Sequence, residues 1–315
     1  MSQLGFGTSP VFFEHETGNH PECKERLSSV LDSLEASDLK NQLTYFGAEA
    51  TNPLEWINKV HLPAYVQEVN EICSRGGGCL DEAPTFAGPR SYEAARLAVS
   101  TTLTAASKIL DGEIQRAFCA LRPPGHHARP HKAMGFCLFN NAAVAAQFLL
   151  DHGQMQRILI VDFDVHHGNG TQEIFYENEQ VFYFSSHQSP LYPGTGLAHE
   201  TGSGSGRGLT RNLLFTQGSG DNEYLPRVEA ELELVFKEFN PEILILSAGF
   251  DAYEKDPLGG MNLSLEGYYK LTSILNDFAN QYCQGRILSV LEGGYHLEDL
   301  GKLVMVHLNA LTKDS

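Results

Sequence analysis

Four short apolar segments of this chain each run straight into a cluster of ionisable and glycine residues, and that recurrence constrains the fold more than any other feature. RAFCAL leads into RPPGHH, RILIV into DFDVHHGNG, EILILS into AGFD, and RILSV into LEGGY. Short, continuous, β-branched runs are the pattern of strands buried on both faces. With VFYFS they predict strands at 116–121, 157–163, 181–185, 242–247 and 286–291. Helical patterns lie between and before them. Ser91–Leu110 is Ala-rich with Leu and Val at helical spacing, 140–151 carries an Asn cap, and 224–239 and Leu265–Tyr282 are amphipathic. Alternation of this kind predicts an α/β fold of three layers, α/β/α, with a mainly parallel central sheet. The pattern continues to the C-terminus, so one domain is expected over 1–315. Ligands of open parallel sheets bind outside the carboxyl ends of the strands. The four polar clusters are therefore expected to meet at one site.

The residue types in those clusters suit metal-assisted hydrolysis. Asp162, Asp164 and His166 are spaced by two, which on an extended chain puts their side chains on one face. Asp251 arrives from another strand end. Asp164, His166 and Asp251 make a three-ligand set for a divalent metal, leaving a position for water and substrate as a catalytic zinc does. Two carboxylate ligands nearly neutralise the metal, so its water is acidified less than by three neutral histidines, and a general base is needed. His126 and His127, after the stiff turn RPPG, are the candidates. Asp162 can orient one of them and keep it cationic, while Asn169 can leave the other nearer its ordinary pKa. Tyr295, after Gly293 and Gly294, can donate its phenol to a carbonyl oxygen where negative charge develops.

Composition excludes other classes. The net charge of −17 is wrong for sequence-independent binding of nucleic acid, which needs excess Lys and Arg, and suits cationic partners such as Lys-rich tails or polyamines. No run of 18 apolar residues predicts a membrane span, and the N-terminus lacks the pattern of a signal peptide, so a cytoplasmic location is expected. The six cysteines form no CxxC pair and read as reduced thiols, mostly in the core, without a structural zinc. The glycine-rich stretches 76–78 and 202–208 read as loops. GSGSGRG in the latter has neither nucleotide-loop frame.

Taken together, HPECKERL (20–27), RPPGHH (122–127), GFCLFNN (135–141), DFDVHHGNG (162–170), YPGTG (192–196), AGFD (248–251) and EGGY (292–295) resemble the histone deacetylase family, of the arginase–deacetylase fold. GFDAYEKDPLGG (249–260) and Asn169 look most like its class II branch and bacterial relatives. The resemblance implies zinc on Asp164, His166 and Asp251, with ferrous iron an alternative that the same ligands suit. It implies His127 as base and then acid, and His126 as an electrostatic partner held by Asp162. Tyr295 is implied to polarise the scissile carbonyl. Phe136, with Gly135 beside it, and Tyr192 would wall a channel for a lysine stem; the family commonly has Phe at the latter place. Asp81 is implied as a rim carboxylate and Arg26 as the lining of an acetate pocket. Potassium is implied near the zinc, on the backbone of Asp162, Asp164 and His166 and the side chain of Ser185.

The expected reaction is removal of acetyl or related acyl groups from lysine side chains of proteins. The rival substrate is a small acetylated amine, an acetylpolyamine. Some polyamine-specific relatives carry Glu where this chain has Leu258, which favours lysine. A binding module without catalysis would be expected to lack Tyr295, a metal ligand or the histidine pair, and all are present. A two-metal ureohydrolase would leave Tyr295 without a purpose.

Overall fold

The computed structural model describes residues 4–49, 52–81, 84–152 and 155–313. In chain order the strands are β1 (Leu4–Gly7), β2 (Leu43–Phe46), β3 (Gly78–Cys79), β4 (Phe86–Ala87), β5 (Arg116–Cys119), β6 (Ile158–Asp162), β7 (Val181–Gln188), β8 (Thr210–Phe215), β9 (Ile243–Ala248) and β10 (Ile287–Leu291). The helices are α1 (Lys24–Glu35), α2 (Pro53–Val60), α3 (Pro63–Ser74), α4 (Ser91–Leu110), α5 (Asn141–Asp151), α6 (Asn169–Phe175), α7 (Asp221–Phe239), α8 (Leu265–Tyr282) and α9 (Leu297–Leu311).

The apolar runs become the middle of one sheet, in the order β2-β1-β5-β10-β9-β6-β7-β8, with every pairing parallel. Each residue of β6, β9 and β10 is buried, as expected of strands covered by helices on both faces. Helices α1, α9, α8 and α7 pack side by side, and α2, α3, α4, α5 and α6 form the other group. The helix caps are local. Asn140 accepts the Ala143 N–H at the start of α5, and Ser264 accepts that of Gly267 at the start of α8.

The structure adds to the predicted elements. The same sheet also takes in β1, β2 and β8, and the helix layers take in α1, α2, α3, α6 and α9. Strand β1 has a physical reason to be inconspicuous. Its Gly5 and Gly7 weaken the strand signal, yet a Cβ on Gly7 would lie 2.4 Å from the Phe46 ring. Of the glycine-rich loops, Gly78 enters the small antiparallel pair β3–β4, and Gly204–Gly206 forms a 3-10 turn. All six cysteines are free; Cys73, Cys119, Cys137 and Cys283 are buried.

The strands that the sequence marks with polar ends, β5, β10, β9 and β6, are four consecutive neighbours in the sheet. Their carboxyl ends therefore open side by side.

Candidate active site

The candidate metal-ligand set comes together by a route different from the expected one. Strand β6 stops at Asp162, so Asp162, Asp164 and His166 do not share the face of an extended chain. The segment turns instead. The Asp162 carboxylate accepts the Asp164 N–H at 3.2 Å, and the Asp164 carboxylate accepts that of His166 at 3.0 Å. These side-chain-to-backbone turns two residues apart are a habit of Asp. From the end of β9, Asp251 accepts the Val165 N–H at 2.8 Å, which ties the two strand ends together.

His166 Nδ1 then lies 3.1 Å from Asp164 Oδ1 and 3.0 Å from Asp251 Oδ2. All three ligand atoms lie within 4.8 Å of one another. Bonds of about 2.0–2.2 Å to a tetrahedral centre put neighbouring ligands about 3.3–3.6 Å apart, so a small adjustment fits these donors to a divalent metal. The charge balance also fits a cation. Burial and the Asp164 charge push the Asp251 carboxyl up to about 7, while burial of Asp164 is outweighed by His126 and His166, which hold it well below the usual range. Gly293 lets its strand end approach: its N–H donates to Asp164 Oδ2 at 2.8 Å, and a Cβ there would lie 2.2 Å from Asp251 Oδ2.

The two histidines sit 4.0 Å apart between ring centres, both buried, in opposite electrostatic settings. His126 Nδ1 faces Asp162 Oδ2 at 3.0 Å and Nε2 lies 3.8 Å from Asp164. Burial opposes its charge, but the two carboxylates win and push it up to about 10. His127 Nδ1 faces Asn169 Oδ1 at 2.8 Å. Burial and the positive charge at His126 and His166 hold it well below the ordinary histidine value. The surroundings thus favour the cationic form of one ring and the neutral form of the other.

A cavity of about 250 Å³ leads to His127 and His166 between Phe136 and Tyr192, with Pro84, Gly135, Leu191, Leu258 and Tyr295 completing its wall. Gly135 and Phe136 both have positive φ (54° and 70°), and a Cβ on Gly135 would lie 2.3 Å from the His127 ring. Glycine is therefore required where the wall meets His127. The Tyr192 ring stands edge-on to His127 at 5.3 Å. Tyr295 has its ring centre 6.0 Å from that of Phe136, and burial keeps its phenol protonated by pushing it well above the ordinary value.

Three other predicted residues lie elsewhere. Asp81 is not in the cavity wall; its carboxylate accepts the Thr85 N–H at 2.7 Å. Arg26 is wholly buried behind Tyr295, 4.9 Å from its ring centre, with Nε donating to the Gly294 carbonyl at 2.7 Å and other donors on Glu22 and the Glu292 carbonyl. Ser185 pairs with Asp162 across the β6–β7 register and meets His187 Nδ1 at 2.9 Å. Residue-by-residue reading of the sequence also misses Asp256 and Tyr183. Asp256 accepts the Tyr295 N–H at 2.6 Å and the Leu258 N–H at 2.9 Å, joining the phenol's loop to the wall. The Tyr183 hydroxyl donates to Asp162 at 3.0 Å. The sequence marks Asp256 only as the Asp of DPLGG, and it gives Tyr183 the character of an ordinary core tyrosine.

A family model of the histone deacetylase domain matches residues 20–311. The chain belongs to the histone deacetylase family. It is 38% identical to a probable deacetylase of Archaeoglobus fulgidus over 289 residues, covering 91% of this chain and 80% of that protein. It is 36% identical to a histone deacetylase-like amidohydrolase of Pseudomonas aeruginosa over 277 residues, covering 87% and 71%. The crystal structure of the HDA15 HD domain superposes with a TM-score of 0.92 at 35% identity, over 98% of this chain and 91% of that one. The chain is accordingly a deacetylase hydrolase with the fold of that family, and its candidate metal ligands suit a metal-dependent one.

Proposed function

We propose that this deacetylase removes acetyl or related acyl groups from lysine side chains of proteins, and that residues 1–315 act as one catalytic domain. The observation that carries the lysine reading is the channel itself. Its wall is aromatic and aliphatic down to His127, His166 and Tyr295, and Leu258 stands in that wall. An apolar tube suits a four-carbon stem whose charge the acyl group has removed. Among the described residues, no carboxylate stands in the wall to receive the distant ammonium of a polyamine.

Asp164, His166 and Asp251 would hold a zinc ion, which supplies a polarised water and a Lewis acid for the scissile carbonyl. Potassium would lie against the turn of Asp162, Asp164 and His166, near Ser185. The chain's own groups do the rest. His127, neutral and held by Asn169, takes the proton of the attacking water at Nε2 and returns it to the leaving amine. His126, cationic against Asp162, stabilises the negative charge that develops. Tyr295 donates its phenol proton in a hydrogen bond to the carbonyl oxygen. The walls Phe136 and Tyr192 orient the stem and exclude water. A cytoplasmic location is part of this reading. Among the described residues no helix is long and apolar enough to cross a membrane.

The test is a side-by-side panel of acetyl-lysine peptides, longer acyl-lysine peptides and acetylated polyamines with the purified enzyme. The lysine reading expects the highest kcat/KM among the peptides. A clear preference for acetylated polyamines would replace it.

A further inference from the structure

EGGY contributes Tyr295, but its first residue has no part in the chemistry above. Glu292 follows β10 directly and is fully buried. Its Oε2 accepts two backbone N–H groups, from Gly125 at 2.7 Å and from His126 at 3.1 Å. Its Oε1 has no hydrogen-bond partner among the described residues. Burying a carboxyl group with one oxygen unpaired is costly. Here the other oxygen grips the peptide that carries both site histidines.

The grip is one side of a clamp. The His126 carbonyl accepts N–H groups from Gly170 and Thr171 at 3.1 and 3.2 Å. Behind Gly125, a Cβ would meet the Asn141 nitrogen at 2.6 Å and the Phe139 oxygen at 2.8 Å. The loop is thus wedged between the start of α5, the start of α6 and Glu292. Glu292 is itself fixed: its N–H donates to the Ala248 carbonyl at 2.9 Å, and its carbonyl accepts from Arg26. The next residue, Gly293, donates to Asp164. One short segment therefore touches the histidine loop through a side chain, a metal ligand through a backbone N–H, and the substrate carbonyl's donor through Tyr295.

We infer that Glu292 is a positioning residue for this reaction: its carboxyl oxygen sets the height and tilt of the His126–His127 loop over the metal ligands. It does not reach the channel wall, so substrate binding does not depend on it. The inference rests on the assignment of His126 and His127 to catalysis.

The experiment compares Glu292→Gln, Glu292→Ala and Glu292→Met, each assayed for kcat, KM and metal content on an acetyl-lysine peptide, with His127→Ala in parallel. Gln keeps a carbonyl oxygen where both N–H groups can reach it, and its kcat is expected within about threefold of wild type. Ala and Met leave both N–H groups buried without an acceptor. A displacement of about 1 Å costs about 100-fold in such sites, so their kcat is expected to fall by about 10- to 100-fold, with KM within about twofold and metal content unchanged. Wild-type kcat in Ala or Met would overturn the inference, as would a loss that follows metal content or KM. If Ala and Met do not fold, Gln still decides: a large loss of kcat in Gln contradicts a role as acceptor. If His127→Ala keeps its turnover, the catalytic assignment fails first, and that outcome is separate from any result at Glu292.

Discussion

The floor of the channel and its mouth are built from different kinds of chain. The floor comes from the ends of four neighbouring strands, and four of its groups are buried and held by named partners: Asp164 by Gly293 and His166, Asp251 by Val165, His126 by Asp162, His127 by Asn169. The mouth comes from loops, and Pro84, Leu191, Tyr192 and Leu258 present apolar surface. A floor so tightly cross-linked leaves its groups little room to move. A mouth built of side chains on loops can be altered without disturbing the ligands below it. Floor substitutions are therefore expected to change turnover, and mouth substitutions to change which substrate is turned over.

The largest effect is expected at His127. In the proposed mechanism His127→Ala removes the group that both accepts the water's proton and protonates the amine, a contribution of about 100- to 10,000-fold in such reactions. His126→Ala is expected to lose less, because its proposed role is electrostatic. Measured kcat values in the reverse order would show that the roles are exchanged. Tyr295→Phe comes next. It deletes one hydroxyl, and loss of a single oxyanion donor costs about 100- to 1000-fold in kcat. Substrate and metal binding should persist, as titration calorimetry on the variant would show.

A pH profile sharpens the floor's description. As the proposed base, His127 must be neutral to act, so activity should fall as pH drops through its pKa. Burial and neighbouring positive charge lower that pKa from the ordinary histidine value of 6.5, and a metal cation in place of a proton on His166 acts in the same direction. The acid limb of kcat/KM is expected below 6.5. A limb above it would mean that His127 is not the base.

How much of this is legible in the sequence divides along the same line as floor and mouth. Asp162, Asp164, His166, Asp251, the histidine pair and Tyr295 stand out because each interrupts or ends an apolar run, and parallel sheets gather such ends. Asn169 is legible from chemistry, since two adjacent histidines with different duties need different partners. The turn that brings Asp164 to His166 is not, because a spacing of two fits a strand equally well. Two strands at one end of the sheet are hidden by their content: β2, at the edge, is half exposed, and β1 beside it carries two glycines demanded by packing against Phe46 and Ile114. Helix α9 contains Gly301, where a Cβ would lie 2.1 Å from Ser33 Oγ; the close approach to α1 that needs a glycine also blurs the helical pattern. Glu292 and Asp256 act on backbone N–H groups far away in sequence, and no local spacing records that.

The smallest effect on turnover, and the clearest on choice of substrate, is expected at the mouth. Leu258→Glu would place a carboxylate in the channel wall, where the narrow site screens it less than bulk water does. The ratio of kcat/KM for acetylated polyamine to that for acetyl-lysine peptide should rise, with kcat on the better substrate nearly unchanged. An unchanged ratio would show that Leu258 is not the selective wall.

The central claim is that Asp164, His166 and Asp251 hold a metal without which the floor does no chemistry. Elemental analysis of protein purified without added metal, read alongside its deacetylation rate, tests it directly. The expected result is one divalent metal per chain, with zinc the expected element, and a rate that falls in proportion as a chelator strips it. Full activity in a thoroughly metal-free sample would contradict it.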